Sequence, residues 1–471
     1  MTRYVHQQRF LLIVLATLIL PPTVFGQKWQ VVVNNGDVVP GDSRTFNSYN
    51  PPSVNTKDLV VFRARSKGGM TGQPAHGVYL RDMRSRSSAI SIVFDRNTYV
   101  PWPSNLVPPT TFIEPPAFPR MDIWGDTLAS RGMHPAVWQY EDTRAGTTGI
   151  YSLIGDALLT GVSNLGQVPE FDFFSVPGHL GTKFDVFPGA PAVTGNTIVF
   201  KGNYVVYEDE DTLPVSHTGV YYRQLESSPA GGSSPAVLIA NSEVTTIPGT
   251  DGILFGSTTP PSAAVSVGLS PTFESLPMAV FAGFDNEDNP TAGGIYLAPI
   301  GEETPPLLPL VEIGSQVPGE EPGTGFDRIG EGVSFDGRFV AFWGAWESET
   351  AVKNLTLLCP EEGNRDRIEY CRELYPDGFD TTVPVNQGIF VHDVVSGATR
   401  AVAKAPDDFD DFVYWNFSGR VPGTGHGDDD AELARWRSSA FVAVSGLVDG
   451  GHRDPRHHVA FKARTGMVES E

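Results

Sequence analysis

Apolar residues in this chain come in short runs rich in valine, isoleucine, phenylalanine and tyrosine, separated by glycine, proline, asparagine and aspartate. One run keeps the same opening, glycine then an aliphatic then an aromatic residue. It stands as Gly77-Val78-Tyr79, Gly149-Ile150-Tyr151, Gly219-Val220-Tyr221, Gly294-Ile295-Tyr296 and Gly388-Ile389-Phe390, with a degenerate copy at Gly466-Met467-Val468. The copies are about 70 to 95 residues apart, a period that signals a repeat architecture. Upstream of most copies lies a second run: Leu59–Phe62, Thr197–Phe200, Met278–Phe281, Phe339–Phe342 and His458–Phe461. Both runs have the β-branched and aromatic content of strands. Tight turns such as Thr194-Gly195-Asn196 and Asp336-Gly337 precede several of the second runs, as a hairpin requires. Downstream, Ala236–Ile239 and Leu310–Ile313 read as a further strand, followed by Ile247-Pro248-Gly249 and Val317-Pro318-Gly319. Proline cannot donate to a ladder, so it ends the sheet and sends the chain onward. Four strands per unit is the count of a propeller blade.

The ends of the chain suggest how the ring closes. Trp29–Val33, with Gly36-Asp37-Val38-Val39-Pro40-Gly41 after it, reads as an isolated fourth strand, whereas the last unit stops at about its third. An N-terminal strand completing the C-terminal blade would cover the open edge. The expectation is an all-β, six-bladed β-propeller spanning 27–471. Unit two fits least well, offering Ala136–Gln139 where its second strand should end.

Val333–Phe342, followed by Gly388–Gly397, resembles the repeat of TolB-type β-propellers, in which an Asp-Gly hairpin precedes an Ala-Phe strand. Other units resemble secreted tandem-repeat proteins with an NxxGxxxxAF-type motif. The resemblance implies a propeller and transfers no catalytic residue.

Arg3 and Arg9, the apolar run Phe10–Leu20 and Val24-Phe25-Gly26 have the layout of a secretory leader, which places a signal peptide at 1–26 and the protein outside the cell. That run is shorter than the roughly 20 apolar residues a membrane helix needs, and no later stretch is long enough to span. The net charge of the 471-residue chain is −22, and loss of the leader removes two arginines and no acid. Such a surface repels phosphate backbones, so nucleic acid is an unsuitable partner. The 39 prolines and 50 glycines argue against long helices.

The two cysteines, Cys359 and Cys371, lie in an insertion of the fifth unit at about 345–385. In an oxidising compartment they are expected to pair; free thiols serving a metal are the alternative. Asn354-Leu355-Thr356 matches a glycan acceptor, as does Asn416-Phe417-Ser418. The insertion is either a recognition loop or a decoration without a partner.

Candidate chemistry is sparse. Tyr414, Trp415, Arg420, Arg435, Trp436 and Arg437 form the densest aromatic and guanidinium cluster. Flat rings stack on sugars and arginine grips carboxylates, so the cluster is a candidate glycan or peptide contact, with inter-blade packing as the alternative. Acidic runs at Glu208–Asp211, Asp285–Asp288, Glu320-Glu321 and Glu361-Glu362 would gather at one mouth of the ring. Calcium or a basic partner suits them, as does plain solvation, and no spacing identifies a metal site. No GxSxG, HExxH, P-loop or Rossmann pattern occurs. His76, His134, His179 and His217 fall near loops, and a histidine with tyrosine and arginine could abstract a proton. The adjacent His457-His458 should point to opposite faces of a strand. The expected function is a secreted, non-enzymatic binding or structural module for a protein, glycan or cation, without an assigned cofactor; the alternative is a propeller-fold polysaccharide lyase, a glycosidase or a calcium-dependent hydrolase.

Overall fold

The computed structural model describes residues 30–461 except 68–73, 86, 106–109, 135–147, 166–168, 208–213, 270–274, 302, 362–364, 406, 409–414, 419–420, 422–434, 439–440 and 448–452. The expected leader and the degenerate repeat at Gly466 lie outside these residues.

The repeats form successive antiparallel sheets. The first contains β1 (Phe46–Tyr49), β2 (Ser53–Val54), β3 (Leu59–Ser66), β4 (His76–Asp82) and β5 (Ser91–Asp95), with β1 and β2 together forming a broken inner strand beside β3. The second contains β6 (Arg120–Met121), β7 (Leu128–Met133), β8 (Thr148–Ile154) and β9 (Ala157–Ser163). The third contains β10 (Ala192–Thr194), β11 (Thr197–Val206), β12 (Val215–Gln224) and β13 (Val237–Asn241). The fourth contains β14 (Ser257–Thr258), β15 (Ser262–Val265), β16 (Pro277–Phe284), β17 (Gly293–Pro299) and β18 (Leu308–Glu312), again with a broken inner strand. In the fifth, β19 (Arg328–Phe335) and β20 (Phe339–Ala345) are followed by an inserted β21 (Val352–Leu357), α1 (Arg365–Leu374) and β22 (Phe379–Pro384), before β23 (Gln387–Asp393) and β24 (Ala398–Ala405) complete the sheet. Two separate hairpins follow: β25 (Trp415–Ser418) with β26 (Arg435–Ser438), and β27 (Val442–Leu447) with β28 (Arg453–Phe461).

The propeller therefore has five blades, not the six expected. After the fifth, among the described residues, the β27–β28 hairpin continues the ring, lying beside β19 and β20. The expected closing strand does not form among the described residues. Residues 30–33 are not in a strand, and Val32 and Val33 pack on the first blade's core of Val39, Phe46, Phe62 and Tyr79, where the Val32 carbonyl accepts a bond from Arg81 at 2.5 Å. An apolar triplet fits a sheet edge or a core flank equally well, and here the nearby core took it. In the second blade the second strand is β7, upstream of Ala136–Gln139, which lies outside the described residues. Ser130 and Arg131 interrupt its apolar run and hide it from a search for contiguous hydrophobics.

The recurring phrase has a packing cause. In each blade a phenylalanine arriving from the preceding connection meets the aromatic residue of the phrase nearly edge-on: Phe46–Tyr79, Phe112–Tyr151, Phe184–Tyr221, Phe255–Tyr296 and Phe326–Phe390, at 5.0, 4.8, 5.0, 5.5 and 4.8 Å between ring centroids. Edge-on rings favour each other by about 0.5–1.5 kcal/mol beyond area burial. The close approach needs bare backbone. A Cβ on Gly202 would lie 2.6 Å from the Phe184 ring, and one on Gly219 would lie 2.6 Å from the Tyr221 hydroxyl. At Gly77, Gly149 and Gly219 a Cβ would meet the tyrosine of the phrase itself, and at Gly294 and Gly388 the carbonyl of the adjoining fourth strand, which is why glycine opens the phrase.

Neighbouring blades are joined through backbone N–H groups. Ser53 Oγ accepts from Met121 N at 3.1 Å, Ser262 Oγ from Phe335 N at 3.0 Å and Ser334 Oγ from Val444 N at 3.1 Å. At the hairpin turns, Asn55 Nδ2 donates to the Gly125 carbonyl at 2.6 Å. Asp336 accepts from Phe339 N at 2.8 Å within its own blade and from Gly446 N at 2.5 Å in the β27–β28 hairpin. The turns of adjacent blades meet, so the inner strands run in one direction. The connections between blades and the second-to-third-strand loops consequently share the opposite face.

Candidate functional site

The inner strands enclose a central channel of about 840 Å³. Its wall takes residues from all five blades and from β27 and β28, including Val54, Asp58, Arg120, Ala263, Val333 and His458. Much of its polar complement is already committed, because Ser53, Ser262, Ser334 and Asp336 hold neighbouring blades. Arg120 differs. It lies on β6, separated only by Met121 from the Asp122–Thr127 hairpin turn, is half-buried, and keeps part of its surface open to the cavity. Its guanidinium stands 4.6 Å over the Phe118 ring, and Phe118 meets Phe441 edge-on at 6.1 Å. Among the described residues no carboxylate pairs with it, and burial alone pushes its pKa down to about 10. By contrast, Arg44, Arg84, Arg338 and Arg365 each hold an acid.

A second cluster lies on the connection side of the third blade. Glu243, just past β13, accepts at one oxygen from Tyr204 Oη at 2.6 Å and meets His179 Nε2 at 2.7 Å. Asn241 Nδ2 donates to Tyr204 Oη at 3.1 Å, and the His217 ring stacks on Tyr204 at 5.2 Å. Desolvation pushes the Glu243 carboxyl up, but the bonds from Tyr204 and His179 together outweigh it and hold its pKa below the ordinary range. Burial, then the hydrogen bond to Glu243, drives the Tyr204 phenol upward. Two of the four loop histidines thus converge, with a tyrosine and a carboxylate that the sequence reading did not single out. Thr-Ile-Val-Phe drew attention to the start of β11, while Tyr204 sits near its end.

The other histidines lie apart. His76 is buried, 3.4 Å from Glu114, and desolvation lowers its pKa to about 4. His134 is buried against Phe112 and Tyr151. On β28, His457 packs on Phe339 at 4.8 Å while His458 is exposed to the channel, the opposed arrangement expected.

Cys359 and Cys371 form a disulfide, tying β21 to α1. The predicted aromatic cluster meets this insertion. Trp436 is buried on β26, in one small core with Phe417, Leu357 and Cys371, and Arg367 donates to the Phe417 carbonyl at 2.5 Å. Trp415, Arg435 and Arg437 belong to β25 and β26, while Tyr414 and Arg420 lie outside the described residues. Asn354 is exposed on β21.

Of the acidic runs, Asp285 caps its own loop, accepting from Thr291 N at 2.9 Å and Ala292 N at 3.0 Å, and Glu320 pairs with Lys404. Glu208–Asp211 and Glu362 fall outside the described residues. Among the described residues no three His, Cys, Asp or Glu side chains are placed to hold a metal, and no helix is long and apolar enough to cross a membrane.

No family model matches the chain, and no curated protein matches it in sequence. Solved structures similar to it include prolyl oligopeptidase B from Galerina marginata, at 8% identity over 79% of this chain and 45% of that one, with a TM-score of 0.33. The β-propeller domain of the Trilobed protease from Pyrococcus furiosus gives 8% identity, 77% and 85% coverage and a TM-score of 0.28. An α-L-arabinanase from Penicillium chrysogenum gives 13%, 61% and 67%, and 0.28. The chain spans under half the length of the oligopeptidase. These likenesses concern fold alone.

Proposed function

We propose that the protein is a secreted binding module that takes a segment of a protein or glycan in its central channel. The observation that carries this reading is the chemistry of the wall. It offers strand backbone, isolated polar groups and one uncompensated guanidinium, whereas the serines and Asp336 serve blade-to-blade contacts. The acidic loops on the connection side of the ring add steering of the approach. The disulfide-tied insertion and the β25–β26 hairpin stand on the connection side as a second contact surface.

Glycan and peptide arrays probed with the mature chain, with and without calcium, test the reading. Val54 is 59% exposed within the channel, so Val54→Trp fills the space without displacing packed atoms. Array binding should fall at least tenfold in that variant while the bound molecule is recovered chemically unchanged from the wild type. Unaltered binding by Val54→Trp would remove the channel from the proposal.

The Glu243 cluster favours a second reading, an enzyme of this architecture in which Tyr204 and Glu243 move a proton on a bound sugar chain. Turnover of a polysaccharide panel that disappears in Glu243→Gln and persists in Val54→Trp would select it over the first.

A further inference from the structure

We propose that the central channel holds a carboxylate-binding site, with Arg120 gripping the two oxygens and the ligand's flat part lying against Phe118 and Phe441. This deepens the binding-module reading and rests on it. Arg120 and Phe118 come from the start of the second blade and Phe441 from the entry to β27, so chain segments remote in sequence build the site. The guanidinium is half-buried and faces the cavity with no counter-charge among the described residues, while four other described arginines each have an acid and the buried Arg223 is held by four backbone carbonyls. An enclosed charge lacking its partner gains most from an anion that brings one.

The guanidinium also restricts the anion, because it balances one unit of charge. A carboxylate is monoanionic and planar, matches the two parallel N–H groups of arginine, and leaves the rest of the ligand free to lie on aromatic surface.

Sodium glucuronate and N-acetyl-Ala-Ala present the same carboxylate from a sugar and from a chain terminus, and their amides remove its charge. In calorimetric titrations of the mature protein, at least one acid should bind at least tenfold more tightly than its amide. Arg120→Gln should abolish that difference, and Arg120→Lys should restore only part of it. Thermal unfolding provides a readout independent of affinity. Without ligand, Arg120→Gln should match or exceed the wild type, because an unbalanced buried charge is gone, and millimolar acid should raise the midpoint of the wild type alone. Acid and amide binding equally, or Arg120→Gln retaining wild-type affinity for the acid, overturns the proposal. If neither acid binds while an array ligand still binds in a manner sensitive to Val54→Trp, the carboxylate is wrong and the channel reading stands.

Discussion

The contact between Phe184 and Gly202 can be tested as a coupled pair. Phe184 is fully buried and touches Tyr221 at 5.0 Å, Phe200 at 5.6 Å and Phe187 at 5.4 Å, so its ring has no room to swing away. A Cβ on Gly202 would meet that ring at 2.6 Å, well inside contact distance. Gly202→Ala should therefore cost about 1–3 kcal/mol by overpacking. Phe184→Ala should cost about 3–5 kcal/mol through lost burial and the cavity left behind. In the double variant the new methyl enters space the ring vacated, and alanine lowers the unfolded chain's entropy relative to glycine by about 0.5–1 kcal/mol. The second substitution should then cost nothing or stabilise, which gives a coupling of about 2–3 kcal/mol in favour of the pair. Urea denaturation of the four proteins, followed by tryptophan fluorescence, measures it. Additivity within about 0.5 kcal/mol would refute the claim that Gly202 is bare in order to admit the Phe184 ring.

Three further outcomes follow from named contacts. Asp336→Ala strands the N–H groups of Phe339 and Gly446, at about 1–3 kcal/mol each, and amide exchange at 442–446 should accelerate; unchanged protection there would deny Asp336 its role in holding the hairpin. Reduction of Cys359–Cys371 should release a loop closure of about 3 kcal/mol locally, seen as new proteolytic cuts within 352–384 with the rest of the ring intact; general proteolysis would show that the insertion supports the blades. His76 has a folded pKa of about 4 against 6.5 for the free side chain, so the unfolded state binds its proton first as pH falls. Stability from this site is whole above pH 6.5 and declines by about 3 kcal/mol on the way to pH 4. His76→Gln should flatten that interval of the denaturation-midpoint curve, and an identical slope in both proteins would show that other groups carry the acid sensitivity.

The sequence alone determined what depends on neighbours along the chain. Strand runs, hairpin turns, the glycine-led phrase and the short disulfide loop are local, because alternation, positive-φ turns and a separation of 12 residues leave few other conformations. Tertiary structure decided what depends on accumulated geometry. Blade number follows from how sheets pack around an axis, and Val32-Val33 found a core on the first blade instead of an edge beside β28. His179 meets Glu243 across 64 residues, and Phe118 meets Phe441 across most of the chain. The predicted Trp436 is in a small core under the insertion, whereas Arg120 looked ordinary in sequence. An arginine's significance lies in the charges that surround it, and only the packing of the blades specifies them.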